Sequence, residues 1–305
     1  MADALDARRV ADRLGIPLYA IDLAADFGRI IDYFAAEYGR GRTPNPCVRC
    51  NAWLKFGRLF EHADAVGATH VATGHYARLD LDAGMPMLRR GLEAARDQSY
   101  VLFDVRPDRL RRMLLPVGGL AKADVRRRAA ALGLATADKP DSQEICFVAP
   151  GEHAALVARR LGGSRAGEIV DVTGRVLGWH PGIEHFTVGQ RRGLGVATGV
   201  ALHVVRIEAD TGRVVVGPRE AVPEEELVAA EVRWLTEPPA GPLACEVQCR
   251  AQRKAAPAVV TPLPGGRFHA RFIGGPDARP GPISPGQPAV VYRGDRLLGG
   301  GWIAG

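Results

Sequence analysis

The chain has 305 residues, 47% of them hydrophobic and 24% charged, with a formal net charge of +6, which is enough for two or three domains with ample core and rules out a disordered composition. No stretch approaches the roughly twenty apolar residues of a membrane helix, and the acidic start Met1-Ala2-Asp3-Ala4-Leu5-Asp6 has neither the basic head nor the apolar core of a signal peptide. Five cysteines are an odd set for a disulfide framework, so a cytoplasmic protein without a membrane partner is expected.

In chain order, residues 6–14 have helical periodicity and stop at Gly15. The short apolar run 16–23 predicts a buried strand, and 27–38 is helical, with Ile30, Ile31, Phe34 and Ala35 on one face. Next comes TPNPCVRCN over 43–51, where two prolines hold the backbone extended. Asn51 is placed to cap a helix over 52–66 that ends at Gly67. Residues 69–74 predict a strand that runs into Gly74-His75-Tyr76. Helices alternating with strands imply a parallel sheet with crossover helices, and ligands bind at the carboxyl ends of such strands. Gly74 and His75 lie at one such end.

Residues 96–134 are helical in pieces, broken at Pro107 and at Pro116-Val117-Gly118-Gly119. Past Ala149 the pattern becomes β-rich. Hairpins are predicted over 167–177 and 202–216, with turns at 171–174 and 210–212. After Pro223 only strands and turns follow, over 225–234, 244–251, 258–263, 267–273 and 288–302, spaced as in a small antiparallel barrel. The expected division is an α/β domain over 1–150, a β-rich domain over 151–222 and a barrel over 223–305.

The chemistry concentrates in cysteines. Cys47 and Cys50 have C-x-x-C spacing before a predicted helix, whose N-terminus would lower a thiol pKa. Cys146 follows the stiff turn Lys139-Pro140, in DSQEICF. Two facing cysteines would form a catalytic disulfide or pass sulfur as a persulfide; three unrelated cysteines are the equal alternative. Cys245 and Cys249 have the spacing of two small residues on one face of a barrel strand, a reading favoured over a zinc site with the first pair. Asp97 is a candidate helix cap. The glycine-spaced loop over 186–195, with Arg191 and Arg192, suits phosphate contact, with a tight hairpin as the alternative. The barrel adds Arg250, Arg253 and Lys254, and the positive balance suits a polyanionic partner.

Taken together, an ordered series of segments resembles the bacterial tRNA-specific 2-thiouridylases. It comprises RTPNPCVRCN (42–51), ATGHY (72–76), DQSY (97–100), PVGG (116–119), KPDSQEICF (139–147), FTVGQRRGLG (186–195) and SPGQ (284–287). The resemblance implies an ATP-pyrophosphatase-like (PP-loop) α/β domain, a small β-rich central domain and a C-terminal antiparallel β-barrel. It implies ATP with Mg2+, a tRNA whose wobble uridine becomes 2-thiouridine, and a protein that donates persulfide sulfur. Cys146 would carry the persulfide and Cys50 would be the second catalytic thiol. Asn45, Pro46 and Cys47 map to the target-base segment, Gly74 to ATP, and His75, Asp97, Gln98 and Gln287 to tRNA, with Arg191, Arg192 and Arg250 as further backbone contacts. The target base would be flipped into a pocket.

Two departures modify this expectation. The family's S-G-G-x-D-S-S phosphate loop, with its first strand, is not found in the sequence, so ATP binding by the sequence as given is expected to be weak. Cys47 stands where other members carry an acid, so Cys47, Cys50 and Cys146 present the three thiols that an iron–sulfur cluster takes. The alternatives are a non-catalytic RNA-binding remnant and another PP-loop tRNA sulfurtransferase.

Overall fold

The computed structural model describes residues 2–82, 84–140, 145–149 and 151–305. Helices α1 (Ala2–Leu14) and α2 (Ala24–Gly39) come first. A longer helical run follows: α3 (Pro46–Arg49), a π-helix (Cys50–Arg58) and α4 (Leu59–Ala65). Strand β1 (Val71–Ala72) pairs in parallel with β4 (Met113–Leu114), through Val71 opposite Met113 and Ala72 opposite Leu114. Between them stand β2 (Ala77–Asp82) and β3 (Met85–Arg90), an antiparallel hairpin, and short α5 (Pro107–Leu110). Helix α6 (Lys122–Ala131) completes the α/β part, and α7 (His153–Leu161) leads into the central sheet.

The central sheet contains β5 (Gly167–Asp171), β6 (Val176–His180), β7 (His203–Glu208) and β8 (Arg213–Gly217), in the order β6-β5-β8-β7. Only the β5–β8 pair is parallel. The last sheet comprises β9 (Glu226–Trp234), β10 (Leu243–Gln248), β11 (Ala256–Leu263), β12 (Arg267–Phe272), β13 (Pro288–Arg293) and β14 (Arg296–Ile303). Its order β13-β10-β11-β12-β9-β14 closes through β13–β14, a fully antiparallel barrel. Closure leaves none of these six strands as a free edge. The predicted run 288–302 is thus two strands joined at Gly294-Asp295.

Two expectations change. Residues 16–23 form no strand, and Ile16 and Tyr19 are 54% and 69% exposed. An apolar run becomes a strand only where a neighbouring strand takes its backbone N–H and C=O groups; here the Ile16 N–H and the Leu23 carbonyl bond to the flanking helices instead, at Ala11 and Phe27. The β2–β3 hairpin, which local patterning does not announce, joins the barrel sheet through Arg89 opposite Arg296. One core therefore spans both parts: Phe56, Phe60, Leu102 and Phe103 pack with Val290, Tyr292 and Trp302. This shared core fixes the cysteine-bearing helix against the barrel.

Candidate active site

The proline loop enters its helix at Pro46, a favoured residue for the first turn because its missing N–H costs no bond. Asn45 precedes it in extended conformation. The chain then stays helical through Cys50 (φ −58, ψ −45), so Cys50 lies within the run and not at a helix N-terminus. The expected helix effect on its thiol is absent. Burial instead raises the Cys50 thiol, Lys55 opposes this, and Cys146 adds to it. Cys47, though it keeps open surface, is raised first by burial, then by Cys146 and Cys50. Asn51 is not a cap; it is buried, and its Nδ2 donates to the Val101 carbonyl at 3.2 Å.

Cys146, distant in sequence, is among the groups that raise the Cys47 and Cys50 thiols. Two contacts hold its segment. Phe147 stands edge-on to Phe27 and Phe34 of α2, at 5.5 and 5.4 Å. Lys139 bridges Asp3 and Asp6 of α1 at 2.6 and 2.7 Å. Asp141 and Ser142 of the same motif lie outside the described residues.

All five cysteines are free thiols, so the expected disulfide is not a feature of this protein as folded. Nor is the iron–sulfur expectation supported: among the described residues no group of three His, Cys, Asp or Glu is arranged to hold a metal ion. Cys245 and Cys249 sit in the barrel, where burial pushes their thiols up to about 11 and about 12. Few thiolates form there at neutral pH, and the thiolate is the reactive species.

At the carboxyl end of β1, Gly74 is exposed, and no atom lies within 4 Å of where a Cβ would stand. Ligands generally bind at the carboxyl ends of parallel strands. His75 next to it is buried, 5.8 Å from the Phe56 ring, and its Nδ1 bonds Thr73 Oγ1 at 2.7 Å. Burial first, then Lys55, lower its pKa to about 4, so His75 is neutral at pH 7.

Several candidate RNA contacts are engaged within the fold. Asp97 accepts from the Gly91 and Ser99 backbone N–H groups and from Arg90, at 2.8, 3.0 and 3.0 Å; it organises a turn. Gln98 is exposed and accepts from the Tyr76 N–H at 3.0 Å. Gln287 donates to the Thr43 and Pro44 carbonyls, and Arg250 to the Val188 carbonyl and Ser284 Oγ. Arg191 and Arg192 are exposed and in no salt bridge among the described residues. Arg191 borders a cavity of about 360 Å³ framed by Gly193, Leu194 and Leu202.

Two residues escaped sequence reasoning. Lys55 is the cation felt at Cys47, Cys50 and His75 alike. Its signal was its place five residues after Cys50, legible only once the helix is known to be of the π type, whose bonds run i→i+5. Arg49 was visible only as the second x of C-x-x-C.

The α/β part carries Cys47 and Cys50 on its helical run and is joined to a small mixed sheet and a closed barrel. Residues 1–150 match the domain family described as tRNA methyl transferase HUP domain, 155–218 the tRNA methyl transferase PRC-barrel domain, and 224–303 the aminomethyltransferase beta-barrel domain. The chain is 49% identical over 309 residues to the tRNA-specific 2-thiouridylase MnmA of Rhodopirellula baltica, covering 99% of this chain and 76% of that protein. It is 46% identical to that of Rhodospirillum centenum, covering 99% and 78%, and 44% identical to that of Geobacter metallireducens, covering 99% and 82%. The chain belongs to the tRNA-specific 2-thiouridylase family. Among the described residues no helix is long and apolar enough to cross a membrane.

Proposed function

We propose that this protein is a tRNA-uridine 2-sulfurtransferase that converts the wobble uridine of tRNA to 2-thiouridine in the cytoplasm. What supports this reading is the likeness over 99% of this chain to tRNA-specific 2-thiouridylases, together with the influence of Cys146 and Lys55 on the Cys50 thiol. ATP with Mg2+ would supply the activation of the uridine C2 oxygen, with Gly74 at the strand end that would receive it.

Cys146 takes a sulfane sulfur from a persulfide donor protein. Its terminal sulfur attacks C2, and the activated oxygen leaves with AMP. The Cys50 thiolate then attacks the Cys146 sulfur, forming an S–S bond between the two cysteines while the bond to the transferred sulfur breaks. 2-Thiouridine departs, and a thiol reductant restores the free thiols. Lys55 favours the Cys50 thiolate against burial. Cys47, Asn45 and Pro46 line the place of the target base. The α/β part over 1–150 does the chemistry, while 151–222 and 223–305 hold the RNA, Arg191 and Arg192 facing phosphates.

Expression in a host lacking 2-thiolation, followed by mass spectrometry of its tRNA nucleosides, tests this. Restored 2-thiouridine is expected, and it should vanish in Cys146→Ser. Thiolation at the parent level in Cys146→Ser would refute the mechanism; tRNA binding with no thiolation would identify an RNA-binding remnant instead.

A further inference from the structure

Arg49 stands between the two cysteines of the C-x-x-C loop, and its guanidinium is held by aromatic rings and carboxylates, with Nε lacking a hydrogen-bond partner among the described residues. It lies over the rings of Trp302, Tyr33 and Trp53, at 4.2, 5.3 and 5.4 Å from their centroids. Nη1 donates to Asp104 Oδ2 at 3.0 Å and Nη2 to Glu231 Oε2 at 2.7 Å. Asp104 is itself buried and takes a second bond from Arg233 Nε at 2.9 Å. Tyr33 belongs to α2, Trp53 to the π-helix, and Glu231 and Trp302 to the barrel.

Glu231 is the unusual member. Its φ of +49 is the one left-handed value at a non-glycine position among the described residues. The register explains where it sits. Gly300 faces Arg233 while Trp302 faces Ala230, so Glu231 and Val232 together oppose Gly301 alone. This is a β-bulge, and the left-handed residue of such a bulge is ordinarily glycine. Bulges re-aim side chains beside functional sites, and a strained residue persists where its surroundings hold it. Here the bulge aims the Glu231 carboxylate at Arg49. The surface position gives no other reason for a glutamate, whose side chain is 64% exposed.

Arg49 is not among the charges felt by Cys47 or Cys50; Lys55 is. Its charge is spent on the cage and the carboxylates, so its effect on the thiols is one of placement. We infer that Arg49 is a positioning residue: clamped by Glu231, Asp104 and Trp302, it fixes the helical turn carrying Cys47 and Cys50 in register with the barrel. This rests on the proposed sulfur transfer for its purpose, but not for its geometry.

The deciding variant is Glu231→Gly. If Glu231 is only part of the barrel wall, glycine relieves the bulge and changes nothing else. If the clamp is real, the melting temperature holds or rises while the cysteine turn loosens. Iodoacetamide alkylation of Cys50, followed by peptide mass spectrometry, needs no RNA and reads the turn directly. It is expected to speed up by about threefold or more in both Glu231→Gly and Arg49→Ala, with Arg49→Lys between them and the parent. Turnover should fall about tenfold with the KM for tRNA near that of the parent, since misplacement of a reacting group costs rate more than binding. A Cys50 alkylation rate in Glu231→Gly within about twofold of the parent, at unchanged stability, overturns the inference even if Arg49→Ala fails to fold. Because alkylation is independent of thiolation, a parent protein inactive on tRNA would remove the proposed function and leave this result standing.

Discussion

The side-chain amide of Gln287 donates to the backbone carbonyl of Thr43 at 3.0 Å and to that of Pro44 at 3.3 Å. The same turn supplies the Pro285 carbonyl to the Thr43 N–H at 2.8 Å. A side chain at Gly286 (φ +86) would press within 3.0–3.2 Å of Arg42 and Thr43. The barrel turn is therefore a mount for the proline loop in front of the cysteines. Gln287→Ala leaves two carbonyls short of a partner and should cost about 1–2 kcal/mol of stability. Thiolation should slow, while the salt dependence of tRNA binding keeps the parent slope, since the substitution removes no charge; denaturant melts and filter binding check both.

The barrel cysteines separate from the site cysteines. Cys245→Ser should thiolate as the parent does. Cys249→Ser should do the same but be destabilised by about 1–3 kcal/mol, since it places a hydroxyl at a fully buried position. Nucleoside mass spectrometry with thermal melts distinguishes them, and loss of 2-thiouridine from a stable Cys245→Ser protein would contradict the assignment.

Lys55 should govern the pH dependence of Cys50. The thiolate is the charged form; burial disfavours it and raises the pKa, and the ammonium of Lys55 favours it and lowers the pKa. Lys55→Gln removes the lowering influence alone. The alkylation rate of Cys50 should then reach its half-maximum at higher pH than in the parent and be slower at pH 7. A profile unchanged or moved to lower pH would show that Lys55 does not act on this thiol.

His75 gives a second pH signature. Its folded pKa of about 4 lies below the ordinary 6.5. Between these values the unfolded chain takes up the proton and the folded protein does not, so stability falls as pH drops through that window. His75→Asn should flatten this part of the stability profile. In the parent, the imidazole NMR signals should stay those of a neutral ring from pH 8 to pH 5.

Arg191 and Arg192 are the exposed cations of the central loop. Their joint replacement by Ala should weaken tRNA binding and make its log–log salt dependence shallower, by about one unit for each phosphate no longer neutralised. Equal affinity and slope across a salt series would mark them as solvated surface residues.

The sequence by itself determined the β modules and the order of the motifs. The hairpins at β5–β6 and β7–β8 and the barrel strands were legible because alternation and turn residues are local signals. The tertiary structure alone decided what the local signals could not. The apolar run at 16–23 stayed out of a sheet because strand formation depends on a partner, and the β2–β3 hairpin joined a barrel more than a hundred residues away. The Cys50 thiol is raised instead of lowered, because burial and neighbouring charge are set by packing across the chain. Asp97 reads in sequence as a helix cap and Gln287 as the polar tip of a turn, and the resemblance maps both to tRNA, yet the fold uses them as braces, since a side chain's hydrogen-bond partner is a fact of three dimensions.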